Sequence, residues 1–110
     1  MRIDTRTRDP FALEGPDAIV GFIDEAIRRF TFFEFTILNA TVDVDGDDAT
    51  GRVYLCEVRT EDDGTWSEAY GLYRDTYRRR DGAWRIAGRR YASLARRGPS
   101  GTEAFAWPDG

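Results

Sequence analysis

Histidine and lysine are both absent from this 110-residue chain, and cysteine occurs once, as Cys56. Without histidine, the commonest metal ligand and the side chain that ordinarily moves protons near neutral pH are both missing. Without lysine, Schiff-base chemistry is excluded. A lone cysteine forms no internal disulfide, and no cysteine-based metal site is expected. Cys56 falls in an alternating strand pattern, where it reads as a small buried apolar residue and not as a nucleophile. No apolar run approaches the ~20 residues that a membrane-spanning helix requires, and no signal peptide opens the chain. These absences lead us to expect a cytoplasmic protein with no membrane partner. Acid–base work falls to Asp, Glu, Tyr or Cys56.

What is present suits one globular domain. The hydrophobic share is 41% and the aromatic share 14%, enough for a core at this length. All 16 basic residues are arginine against 20 acidic ones, for a net charge of −4, which argues against nucleic acid as a partner. The charge is unevenly spread. Residues 43–68 are rich in acid, whereas 74–97 hold nine arginines against Asp75 and Asp81. Cross-strand pairing between neighbouring hairpins and a solvated outer face accounts for this pattern; an arginine-lined anion site is the sharper alternative.

Residues 71–90, GLYRDTYRRRDGAWRIAGRR, carry the clearest structural signal. Two alternating runs flank Asp81-Gly82, the mark of a tight hairpin. In the first run Leu72, Arg74, Thr76 and Arg78 share a face, with Gly71, Tyr73, Asp75 and Tyr77 opposite. Upstream, Gly15-Pro16-Asp17 opens a helix predicted over 16–30, with Ile19, Ile23, Ala26, Ile27 and Phe30 as its apolar stripe. Strands follow over 31–44, 49–60, 65–80 and from 85 to about 96, with turns at 45–48, 61–64 and 81–82. Residues 1–6 offer a short edge strand. The fold class is therefore α+β: a curved four-stranded antiparallel sheet with a helix packed on its concave face. Residues 1–97 form one domain, and 98–110 are expected to be a flexible tail, with docking of Phe105 and Trp107 as the alternative. The space between helix and sheet is the natural place for a small ligand.

The segments GPDAIVGFI, NATVDVDGDDATGR and 71–90 together resemble the SnoaL-like family within the nuclear transport factor 2-like superfamily of cone-shaped α+β domains. The specific positions are Gly71, Tyr73, Asp75, Asp81-Gly82, Trp84-Arg85-Ile86 and Arg89. Relative to such domains the chain begins near the family's first short strand, so we expect it to lack their N-terminal helices. The resemblance implies cofactor-free chemistry of the scytalone dehydratase or polyketide cyclase type, built on pocket His, Asp, Tyr and Asn residues. Here the two histidine positions hold Phe35 and Val53, while Asn39, Tyr73 and Asp75 match polar pocket positions.

Two functions follow from that resemblance. In the first, the chain is a small-molecule-binding domain without the family's histidine catalysis. Phe33, Phe35, Ile37, Val53, Leu55 and Tyr73 would line an apolar pocket for a small hydrophobic molecule, with Asn39 and Asp75 orienting it. In the second, it is a cofactor-independent lyase or isomerase acting on a hydrophobic carbonyl or polyketide-like substrate. Asp75 would then be the base, with Tyr73 or Tyr77 as proton donor. Taken alone, Asp75 also reads as a structural carboxylate held by Arg89. A homodimer is expected, because an open cone exposes apolar surface.

Overall fold

The computed structural model describes residues 1–108. Among these, the chain forms β1 (Arg2–Asp4), β2 (Phe11–Ala12), α1 (Pro16–Ile27), β3 (Phe30–Asp45), β4 (Asp48–Glu61), β5 (Trp66–Arg80), β6 (Ala83–Gly98) and β7 (Gly101–Ala104). The strands make one curved, unclosed sheet in the order β2-β1-β6-β5-β4-β3, with β7 also paired to β6. The four long strands form an antiparallel meander whose turns fall where glycine permits them. At the last turn Asp81 and Gly82 have φ of 53° and 77°, the two successive left-handed residues of a type I′ hairpin.

β1 falls within the short strand expected over 1–6, β2 and β7 are additional to the expected strands, and the sheet is not antiparallel throughout. β1 runs parallel to β6, pairing Arg2 with Arg90, Ile3 with Tyr91 and Asp4 with Ala92. Last in the meander, β6 would otherwise leave its outer edge unpaired, a row of free backbone donors and acceptors. β1 covers residues 90–92 of that edge and β7 covers 95–98. Thus Gly101–Ala104, within the expected tail, is part of the sheet. Beyond it, Phe105 donates its backbone N–H to Leu94 at 2.9 Å and Arg6 donates to the Ala106 carbonyl at 2.9 Å. Trp107 stays exposed. The last two residues of the tail, 109–110, lie outside the described residues.

α1 ends at Ile27, short of the expected 30, because Phe30 already pairs with Glu61 as the first residue of β3. The helix lies across the concave face without meeting it closely. None of its residues is fully buried; Ile19, Phe22, Ile23, Ala26 and Ile27 face a cavity instead. Phe22 anchors the helix through its ring contact with Phe11 of β2, 5.3 Å between centroids. The core proper is in the sheet, where Leu55 and Leu72 are fully buried and Ile3, Ala69, Ala92 and Leu94 are nearly so. Cys56 is a buried free thiol.

Single-residue bulges bend this sheet. Leu38 of β3 is extra between the pairs Ile37–Leu55 and Asn39–Tyr54. Leu94 and Ala87 of β6 are extra opposite β5. Each bulge also reverses the facing of the residues beyond it, which matters for the site. Among the described residues, no helix is long and apolar enough to cross a membrane.

Candidate functional site

A cavity of about 410 Å³ lies between α1 and the concave face of the sheet. Its apolar wall combines the helix stripe with Phe30, Phe33 and Phe35 of β3. Its polar side is made by Glu57 and Arg59 of β4, Tyr73 of β5, and Tyr91 and Arg96 of β6. Strand alternation explains the set. Phe35 pairs with Glu57, Glu57 with Ala69 and Ala69 with Arg96, so one cross-strand row supplies four lining residues. A second row, Val53–Tyr73–Tyr91, carries the two phenols.

Tyr73 and Tyr91 meet as a tilted pair, 5.5 Å between centroids. Gly71 makes room for Tyr91, because a Cβ on Gly71 would collide with the ring. Burial pushes both phenols above their usual pKa, with Arg89 opposing for Tyr73 and Ser93 for Tyr91. Both therefore remain neutral hydrogen-bond donors at physiological pH. Arg59 donates to Glu57 at 3.2 Å and to Ser67 at 3.0 Å. Burial lowers the Arg59 pKa, with the Glu57 charge working against it.

Asp75 sits beside this cavity and does not line it. Its side chain has 0% exposure, and both oxygens are occupied. Arg89 Nε donates to Oδ1 and Nη2 to Oδ2, each at 2.8 Å, and the Tyr77 hydroxyl donates to Oδ2 at 2.7 Å. The Tyr77 ring reaches that position across Gly51, where a Cβ would stand 2.7 Å from the ring. Arg89 in turn lies over Tyr73, its guanidinium carbon 4.0 Å from the ring centroid. Hydrogen bonding to Asp75 raises the Arg89 pKa. Of the two readings of Asp75, the geometry is that of a carboxylate bound by Arg89.

The other candidate positions separate clearly. Phe33, Phe35 and Tyr73 line the cavity. Leu55 is buried core and Val53 is part of the tyrosine row; neither lines the cavity. Ile37 points from the open part of the same face and is 59% exposed. Asn39 is on the opposite face: the bulge at Leu38 pairs it with Tyr54 and Leu72, and its Oδ1 accepts from the Ala40 N–H at 2.8 Å. The expectation that Phe35 and Asn39 share a face is thus corrected by one extra residue. Tyr77 serves Asp75. Glu57, Arg59, Tyr91 and Arg96 were not among the expected site residues. Extending the alternation from Val53 and Leu55 by four residues reaches Glu57 and Arg59.

Three further arginines follow the expected pattern of cross-strand pairing. Arg78 meets Asp48, Arg79 meets Asp47 and Arg97 meets Glu68 at 2.9–3.4 Å on the exposed surface. Arg52, Arg74 and Arg90 instead stand opposite one another and line a polar recess of about 720 Å³.

The family model described as "SnoaL-like domain" matches residues 1–90. Among curated proteins, none matches. Solved structures of similar fold include the hexachlorocyclohexane dehydrochlorinase LinA-type3 from Novosphingobium barchaimii LL02, with a TM-score of 0.71 and 16% identity over 97% of this chain and 73% of that one. A candidate scytalone dehydratase from Novosphingobium aromaticivorans matches at a TM-score of 0.66 and 17% identity, over 97% and 68%. A nuclear transport factor 2-like protein with a cystatin-like fold, from the same organism, gives 0.65 and 28%, over 84% and 61%.

Proposed function

The chain belongs to the SnoaL-like domain family, and on that premise we propose that it binds a small, flat, hydrophobic molecule between α1 and the sheet. One observation carries this reading: the cavity of about 410 Å³ has aliphatic and aromatic walls and a few convergent polar groups. That combination of size and lining is typical of small-molecule sites. Phe33 and Phe35 offer stacking surfaces, and Tyr73 and Tyr91 offer hydroxyl donors to a carbonyl or hydroxyl oxygen. Asp75 acts as a positioning residue. It fixes Arg89, and Arg89 braces the face of Tyr73.

A second reading, a cofactor-independent lyase or isomerase, is favoured by Glu57. An Asp75 base would need one oxygen released from Arg89 or Tyr77, and it does not line this cavity. Glu57 already lines the cavity and could take a proton while Tyr73 supplies one. The assignment of Asp75 as catalytic gives way in this reading to Glu57.

The test is binding of neutral 2-naphthamide, followed calorimetrically. Wild type and Ile37→Glu should bind it, whereas Phe35→Glu should not. Absence of binding in wild type, or equal binding in Phe35→Glu, would remove the cavity from consideration.

A further inference from the structure

We propose that the ligand of this cavity is a flat hydrophobic monocarboxylate whose anionic end is held by Arg96. This inference rests on the small-molecule reading of the same cavity and adds the charge of the occupant.

Three arginines line the cavity, and two have an acidic partner. Arg59 pairs with Glu57 at 3.2 Å and Arg29 with Glu61 at 3.8 Å. Arg96 forms no ion pair among the described residues, and its Nε is buried without a hydrogen-bond partner. A buried guanidinium N–H left unmade is costly, and such groups ordinarily find an acceptor. The acid nearest in register is Glu103, directly across on β7, but its side chain is exposed and does not line the cavity. The one carboxylate among the lining residues, Glu57, is engaged by Arg59, so among the described residues the charge of Arg96 has no acidic partner in the cavity.

The row that carries Arg96 sets the shape of the ligand. Between Glu57 and Arg96 stands Ala69, whose small side chain leaves the floor open. Phe35 closes the far end of the same row. An aromatic body lying on Ala69, between Phe35 and the tyrosine pair, would bring a terminal carboxylate to the guanidinium. A guanidinium fork matches a carboxylate with two parallel hydrogen bonds. The positive charge of Arg96 also lowers the basicity of Arg59 nearby, so an anion between them would relieve both. A single unanswered cation within apolar walls suits a monoanion better than a phosphate.

The experiment compares two probes of one shape, 2-naphthoate and 2-naphthamide, by calorimetry at pH 7. Wild type should bind the carboxylate about tenfold or more tightly than the amide, the scale of a charge-assisted hydrogen bond. Arg96→Gln should abolish that preference, and its circular dichroism spectrum and urea midpoint show whether the variant is folded. Arg96→Lys should keep part of the preference. Equal binding of the two probes by wild type would overturn the carboxylate inference and leave the cavity reading intact. Failure of both probes to bind would overturn both. A preference that survives Arg96→Gln would show that Arg96 is not the anion's partner.

Discussion

Arg89 grips Asp75 through two parallel 2.8 Å hydrogen bonds across adjacent strands, while the face of the same guanidinium covers the ring of Tyr73. One side chain thus connects a fully buried carboxylate to a phenol that lines the cavity. The pair sits in register, Asp75 directly opposite Arg89, so neither side chain has to reach. Because Asp75 is satisfied by three donors, its removal affects the structure before it affects any ligand.

Asp75→Asn should therefore lower folding stability by about 1–4 kcal/mol, the scale of breaking a buried charge pair from one side. Urea denaturation of wild type and variant gives the difference. Affinity for 2-naphthamide should fall less than tenfold, since Tyr73 loses its brace and not its place. A variant as stable as wild type but devoid of binding would make Asp75 a ligand-contacting group instead.

Gly71→Ala should be costly for a different reason. The Tyr91 ring lies against Gly71, and a methyl group there cannot be accommodated without moving the ring. Overpacking of this kind typically costs about 1–3 kcal/mol. Displacement of Tyr91 also disturbs its contact with Tyr73, so probe affinity should drop with stability. The double variant Gly71→Ala, Tyr91→Leu should recover stability by removing the clash. No recovery would mean that the glycine matters for its backbone and not for the ring above it.

The residues that were legible in the sequence are those governed by local rules. Asp81-Gly82 adopts the turn its two residues favour, and strict alternation places Phe33 and Phe35 on the concave face with Tyr73. The helix start and its cavity-facing stripe follow from Pro16 and the spacing of Ile19, Ile23 and Ala26, whereas its end at Ile27 is set by the pairing of Phe30 with Glu61. Asn39 fails because nothing in the local pattern marks Leu38 as a bulge; the partner strand decides it. β1 was legible as a short strand within residues 1–6, but β2 and β7 are too short to declare themselves, and the pairing of β1 and β7 depends on the free edge of β6. Arg96 depends on Leu94 for its facing, a second bulge invisible along the chain. The site is thus legible up to each bulge and not beyond it.

Stability should decline at alkaline pH. Tyr73 and Tyr91 have raised pKa values in the folded state, with burial the largest cause for each. A group whose folded pKa exceeds its unfolded value contributes stability in full below the unfolded value. That contribution is lost as pH rises through the folded one. The window therefore opens near pH 10, where an exposed phenol ionises. Urea midpoints measured from pH 8 to 11 should be flat and then fall above about pH 10. Tyr73→Phe and Tyr91→Phe should each lessen the fall. A flat profile in wild type would show that neither phenol is shielded as described.

Self-association should follow from the edge strand. β3 is a sheet edge of 16 residues, and Phe32, Ile37, Leu38, Val42 and Val44 along it are all exposed, on both faces. Long exposed apolar edges are templates for pairing with another chain unless they are charged, bulged or covered. Bulges interrupt this edge at Thr31 and Leu38, and past the second Val42 and Val44 alternate with Thr41, Asp43 and Asp45 in a regular strand. A second copy of the chain could cover the apolar surface at that end. Sedimentation at micromolar concentration should then show a dimer, and Val42→Lys with Val44→Lys should shift it toward monomer without loss of probe binding, since neither residue lines the cavity. A wild-type species of 12.6 kDa at all concentrations would contradict the dimer, and a dimer that survives both lysines would move its interface away from this edge.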